Sequence, residues 1–272
     1  MMRPRLLRPV SVAISFLTIL SFGLLRAGDK RASGPTSSAV PRNPVLIELF
    51  TSEGCSSCPP ADLLLAQLDR FQPVPTADLI VLSEHVDYWD DIGWKDPYSS
   101  HQFSLRQAGY ARRFRLGEAY TPQMVVDGNT QVVGSDERQA VQAIQNAARV
   151  DKFGISLSAP RLEGSNSLTV HVEVGATPAG AKNTSGQVWI ALADDMDQSV
   201  VKRGENAGRT LKHVAVVRTL AQVGTVEGNS TFSKDLTVSA GNANLQNLRV
   251  VAILQESATG KVLGVGSTRF SN

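Results

Sequence analysis

Apolar and polar positions follow two regimes along the chain, and the change falls near Phe153. In the first regime, Val45 to Phe50 is a short apolar run that reads as a buried strand. Turn residues Thr51 to Gly54 follow, then a helical period through Leu64, Leu65 and Leu68. A second apolar run, Leu79 to Glu84, leads into His85-Val86-Asp87-Tyr88-Trp89-Asp90. Together these segments predict a β-α-β unit with parallel strands and a right-handed crossover. Asp96-Pro97 reads as a helix cap with a first-turn proline, and Phe103, Tyr110, Ala111 and Phe114 recur on one face. The spacing therefore predicts a helix from Pro97 to about Arg115. Gln123–Val126 and Gln131–Val133 flank Asp127-Gly128-Asn129, a hairpin signal, and Asp136 to Arg149 reads as a closing helix. The second regime alternates apolar and polar residues, as in Leu168 to Val174 and Leu248 to Leu254, and predicts an antiparallel β-sandwich.

Before Val45 the pattern differs again. Arg3, Arg5 and Arg8 precede an apolar run from Val10 to Leu25 and a small residue, Ala27, which is the layout of an export signal. The run is shorter than the ~20 residues of a usual spanning helix yet longer than a minimal signal core. Two readings stay open: a cleaved signal, or an uncleaved anchor that tethers the chain to a membrane. Either one predicts an exported protein, periplasmic or extracellular. Residues 28–44 are rich in Ser, Gly, Pro and Arg and read as a linker. The expected organisation is thus 1–27 signal or anchor, 28–44 linker, 45–152 α/β domain and 153–272 sandwich.

Composition sharpens this little. The chain has 272 residues, 42% hydrophobic and 19% charged, a globular balance that excludes wholesale disorder and suits two domains. Lys and Arg number 27 against 25 Asp and Glu, so charge gives no case for nucleic acid binding.

The candidate chemistry lies in Cys55-Ser56-Ser57-Cys58, which holds the chain's 2 cysteines. They fall at the predicted strand-to-helix junction, where free amide N–H groups and the helix dipole stabilise a thiolate. Cys55 would attack, and Cys58, one turn on, would resolve the mixed disulfide. Two other readings stay open. A structural staple over so short a loop stabilises by only about 2 kcal/mol on the chain-entropy model. A zinc site needs four ligands, and two cysteines supply half of them. Pro59 and Pro60 remove N–H donors from the turn, Glu53 and Asp62 bring negative charge, and the sequence offers no adjacent cation. A strongly oxidising pair is therefore not expected.

The run Leu46-Ile47-Glu48-Leu49-Phe50-Thr51-Ser52-Glu53-Gly54-Cys55-Ser56-Ser57-Cys58-Pro59-Pro60-Ala61-Asp62 resembles the exported bacterial family called domain of unknown function 1223. The resemblance continues through residues 85–90, 93–96, 120–128 and 203–211, and so covers nearly everything after the leader. It implies a thioredoxin-like domain (β-α-β, helical insert, β-β-α) carrying a β-sandwich. By the same resemblance, Thr121-Pro122 stands where a cis-proline faces the cysteines. The buried acid that takes the resolving cysteine's proton has Glu48 as its nearest candidate, one position off the expected place. The expected function is thiol–disulfide exchange on envelope or secreted proteins, without a cofactor. The alternative is a binding module or a copper or zinc carrier that uses both cysteines and His85. Alternation would put His85 and Asp87 on one face after the second strand. Against that metal reading stands a packed His85 bonded to a carboxylate, in a loop ordered by Trp89 and Trp94. Arg106, Arg112, Arg113 and Arg115 offer a basic helix face. Arg203-Gly204-Glu205-Asn206, with Arg209, His213 and Arg218, reads as a tight turn whose charges pair with the neighbouring domain.

Overall fold

The structure, a computed structural model, describes residues 42–270 except 165, 177, 179–184, 229, 242 and 244. The expected signal or anchor and almost all of the linker lie outside the described residues. Among the described residues no helix is long and apolar enough to cross a membrane.

The first half runs β1 (Asn43–Thr51), α1 (Pro59–Phe71), β2 (Ala77–His85), α2 (His101–Arg113), β3 (Gln123–Val126), β4 (Thr130–Val133) and α3 (Glu137–Ala147). The second half is all strand: β5 (Ile155–Leu157), β6 (Arg161–Glu163), β7 (Ser167–Val174), β8 (Ser185–Val200), β9 (Thr210–Glu227), β10 (Phe232–Ser239), β11 (Leu248–Glu256) and β12 (Val262–Arg269). The result is a mixed α/β fold built on a large, mostly antiparallel sheet.

β1 is apolar on both faces because both are covered. Val45, Ile47 and Leu49 pack on α1 and α3 with Leu64, Leu65, Leu68 and Ile144. Leu46, on the opposite face, meets Ile80, Leu82 and Phe103. Helix α1 buries Ala61, Leu64, Leu65 and Leu68, the spacing of one helical stripe, each large one worth ~1.5–3 kcal/mol. It stops where Gln72 turns left-handed at φ 48° and its N–H bonds to the Leu68 carbonyl. Helix α3 begins as expected, with Asp136 as the cap accepting from the Gln139 amide.

Helix α2 departs from expectation. It starts at His101, capped by the Ser100 hydroxyl, and not at Pro97. Asp96 is drawn elsewhere: its Oδ1 accepts from the Tyr98 amide, and its Oδ2 serves β2 and the cysteine loop. A carboxylate so engaged holds a turn and cannot cap the helix.

The boundary expected after residue 152 falls between α3 and β5, yet the two halves do not part there. β2 runs parallel to β9 at Ser83 and Val216, joining one eight-stranded sheet in the order β12-β11-β8-β9-β2-β1-β3-β4. The described residues, from 42 on, belong to one compact unit. This large sheet also supplies one layer of a sandwich, whose second layer is β10-β7-β5 with β6 paired to β7. Val170, Val172 and Leu236 pack there against Ile190, Leu192 and Val250. At its far edge the sheet curls over, so that Val251, Ile253, Val262 and Val265 reach Leu46, Ile80 and Leu82. The Val262 amide bonds to the Asp127 carbonyl of the β3–β4 turn.

Candidate functional site

Cys55 and Cys58 form a disulfide with Cα atoms 5.4 Å apart, and Cys58 is the residue that caps α1. The Ala61 and Asp62 amides close on the Cys58 carbonyl at 2.8 and 3.1 Å, so the pair sits at the mouth of the helix. Both cysteines are fully buried. The attacking role read for Cys55 would need it open to a partner, yet it is as enclosed as Cys58 under a cover formed by the β8–β9 hairpin. These strands, 16 and 18 residues long, reach about 50 Å at ~3.3 Å per residue. One end packs in the sandwich, and the connecting loop, residues 201–209, lies on the cysteines.

That loop is pinned by particular contacts. Buried Asn206 donates from Nδ2 to the Glu53 carbonyl at 2.9 Å and the Cys55 carbonyl at 3.0 Å. Glu205 accepts from the exposed Ser56 amide at 3.0 Å, and hydrogen bonds from the Ser56 side chain and then its amide hold the Glu205 carboxyl below the usual range. Gly204, at φ 77°, lies so close to Trp94 that a Cβ there would fall 3.1 Å from the Trp94 Cβ. The turn read from the sequence as an interface element does meet the first half of the chain. Asn206→Ala would leave the Glu53 carbonyl buried without its partner, a penalty of ~1–3 kcal/mol borne by the covered state. Reduction of the disulfide by dithiothreitol is therefore expected to run severalfold faster in that variant. An unchanged rate would mean that the cover does not limit access.

Behind the disulfide lies a buried polar cluster. The Glu53 carboxylate accepts from Trp94 Nε1 at 2.8 Å, from His213 Nε2 at 3.2 Å and from the Ser199 hydroxyl. Asp62, one helical turn beyond Cys58, accepts from the Thr51 hydroxyl at 2.9 Å and stands 3.8 Å from His213 Nδ1. His213 thus lies between two acids. Burial works against its charged form, but Asp62 and Glu53 outweigh burial and push its pKa up to about 10. The cation that the local sequence lacks next to Glu53 and Asp62 arrives from 160 residues beyond Glu53.

His85 packs edge-on against His213, with ring centroids 4.7 Å apart, and Tyr98 completes the group. His85 Nδ1 meets Asp96 Oδ2 at 2.7 Å, and the same oxygen accepts the Glu53 amide at 2.8 Å. Burial opposes the Asp96 carboxylate, yet His85 and the amides of Glu53 and Tyr98 outweigh it and hold its pKa below the usual value. Asp87 goes elsewhere. β2 ends at His85, so the alternation that would have kept the two together stops, and Asp87 bonds to His101 and Ser104 near the surface. His85 and Asp87, read from alternation as sharing one face, therefore have separate partners, and His85 is packed against a carboxylate. With the cysteines bridged and His85 bonded to Asp96, the Cys55, Cys58 and His85 metal set is not assembled. Among the described residues no three His, Cys, Asp or Glu side chains group as metal ligands.

Thr121–Pro122 is a cis bond. Trp89 Nε1 donates to the Thr121 hydroxyl at 2.8 Å, and Trp89 packs so tightly on Gly54 that a Cβ there would lie 3.0 Å from the Trp89 Cβ. Pro122 and Ala61 both border Gly134, which sets the proline beside the first turn of α1. Glu48 lies apart from all of this. It faces α2, accepting from Arg106 Nε at 2.6 Å and from the Tyr110 hydroxyl at 2.6 Å. Arg106 is consequently buried and contributes nothing to a basic face. Reasoning from the sequence missed Asp96 and weighed His213 only as an interface charge. The alternation Leu211, His213, Ala215 was the signal, since it sets His213 among inward positions.

Among curated proteins none matches the chain. The crystal structure of protein AGR_C_4864 from Agrobacterium tumefaciens is 26% identical, with a TM-score of 0.62, over 84% of this chain and 95% of that one. HBP35 of Porphyromonas gingivalis shares the fold at 13% identity and a TM-score of 0.57, over 85% of this chain and 76% of that one. The family described as "Protein of unknown function (DUF1223)" matches residues 46–255, and the chain belongs to that family.

Proposed function

We propose that this chain is an exported thiol–disulfide oxidoreductase with a thioredoxin-like core, acting through Cys55 and Cys58 on protein thiols or disulfides of the envelope. The observation that carries the reading is the disulfide at the mouth of α1, directly after β1, in a parallel β-α-β unit. The strand order β2-β1-β3-β4, with β3 antiparallel to β1, supports the thioredoxin-like description. A staple closing so small a loop adds only about 2 kcal/mol, too little to explain why two halves of the chain converge on it.

The chemistry runs from the oxidised form. A substrate thiolate attacks Cys55 Sγ, the Cys55–Cys58 bond breaks, and Cys58 leaves as a thiolate that takes up a proton. The substrate's second thiolate then attacks its own sulfur in the mixed disulfide and releases Cys55. Two electrons pass from the substrate dithiol to the protein, and one substrate disulfide forms. The reverse sequence reduces a substrate. In either direction the loop over the cysteines must lift, because both are enclosed.

Cys58→Ala removes the resolving thiol, so Cys55 is expected to accumulate mixed disulfides with envelope proteins. Non-reducing electrophoresis after acid quenching reads them as adducts that vanish with reductant. No adducts, with the variant folded, would overturn the exchange reading in favour of a binding module.

A further inference from the structure

Between α1 and the β8–β9 hairpin lies a groove of about 1080 Å³. It starts at Pro59, the residue after Cys58, and runs along the helix past Leu63, Ala66 and Arg70. We propose that this groove holds an extended, acidic segment of the partner polypeptide and so presents it beside the disulfide. The proposal rests on the exchange reading, whose substrate class it names.

Two features of the groove point to that occupant. The first is an imbalance of charge. Each acid lining it already has an internal partner: Asp62 has Thr51 and His213, and Asp69 has Arg249. Asp195 is held by Arg249 and Arg269, and Asp197 by Arg218 at 2.6 Å. Arg70 and Lys212, both exposed, make no ion pair among the described residues. Arg209 gives only a neutral hydrogen bond, to Asn206 Oδ1 at 2.8 Å. The cations left outside ion pairs thus face the groove, and an acidic ligand would answer them.

The second feature is apolar. Leu63 is 61% exposed and Met196 is 69% exposed, and both line the groove. Large apolar side chains left bare between cations suit a polypeptide with interleaved apolar and acidic residues better than a small anion. Methionine also adapts to varied side chains. The volume, about 1080 Å³, lies just above the ~300–1,000 Å³ of ordinary ligand sites, as suits a segment of several residues.

The test uses the whole oxidised protein and two short dye-labelled peptides, one alternating Glu with Leu and its counterpart with Lys for Glu, read by fluorescence polarisation. The acidic peptide is expected to bind roughly tenfold or more tightly than the basic one, and more weakly as salt rises. Arg70→Glu and Lys212→Glu, both surface changes that leave the core intact, are each expected to weaken it by about three- to tenfold. Equal binding of both peptides, no binding of the acidic one, or indifference to both reversals would overturn the proposal. Because no sulfur chemistry enters this measurement, acidic binding without trapped adducts would sink only the exchange reading, and adducts without acidic preference only this one.

Discussion

Arg106→Met is expected to destabilise the protein by about 3–5 kcal/mol, the penalty of leaving a buried carboxylate without its cation. Arg106 reaches from α2 to Glu48 at 2.6 Å and Glu84 at 3.5 Å, and neither acid is exposed. Methionine keeps much of the length and apolar stem, so packing alone does not account for the loss. The two acids do not share the charge equally. Burial, and then the negative charge of Glu48, hold the Glu84 carboxyl well above its usual pKa, which favours its neutral form. Arg106 lies closer to Glu48, at 2.6 Å against 3.5 Å for Glu84, and the Tyr110 hydroxyl donates to the same Glu48 carboxylate. Glu84→Gln keeps nearly the same shape and, with the neutral form of Glu84 favoured, is expected to change stability by less than about 1 kcal/mol. Urea midpoints with unchanged slopes would compare the two variants. Equal losses would show that both carboxylates are ionised and that this account of the cluster is wrong. The cluster extends to the second half of the chain through Arg106 Nη1 and Gln255 Oε1 at 3.2 Å. Its loss should therefore loosen β11 from α2 as well.

Local order was legible in the sequence where local forces decide it. The β-α-β unit, the Asp127-Gly128-Asn129 turn and the helix opening near Asp136 follow from apolar period and turn residues, which act over a few positions. The cysteine pair was legible for the same reason, since its spacing and its helix are neighbours in the chain. Asp96-Pro97 misled because an aspartate before a proline suits both a helix cap and a turn. The partners that decide between them, Glu53 and His85, lie 43 and 11 residues away. Nor does any local pattern say that Val216 joins Ser83 and makes one sheet of two regimes. The cover over the disulfide was half legible: the polar turn around Asn206 marked an interface, but Cys55 as its target is a matter of tertiary register. Glu48 shows the opposite limit, because its parity on β1 was readable and its partners on α2 were not.

His213→Leu is expected to remove about 3–5 kcal/mol at pH 6, and its effect should fade as the solution is made alkaline. His213 has a folded pKa of about 10 against an ordinary value of 6.5, raised by Asp62 and Glu53 in spite of burial. A group whose pKa rises on folding stabilises fully below its unfolded pKa, and that contribution is lost as pH climbs through the folded value. The window therefore runs from about pH 6.5 to about pH 10. Differences between wild type and variant cancel the titrations of groups remote from residue 213. The difference in urea midpoint should be largest below pH 6.5 and small near pH 10. The variant also bears on the disulfide. Glu53 receives His213 at its carboxylate and Asn206 at its carbonyl, so one residue joins the charge cluster to the loop over Cys55. Without the imidazolium, the Glu53 carboxylate loses one of its partners and is expected to shift, and the contact with Asn206 shifts with it. Faster reduction of the Cys55–Cys58 disulfide at pH 7 is expected in His213→Leu, and in the wild type as pH approaches 10 after correction for the reductant's own ionisation. A stability difference that stays constant across the window would mean that His213 is neutral in the folded protein and that packing alone holds the cover in place.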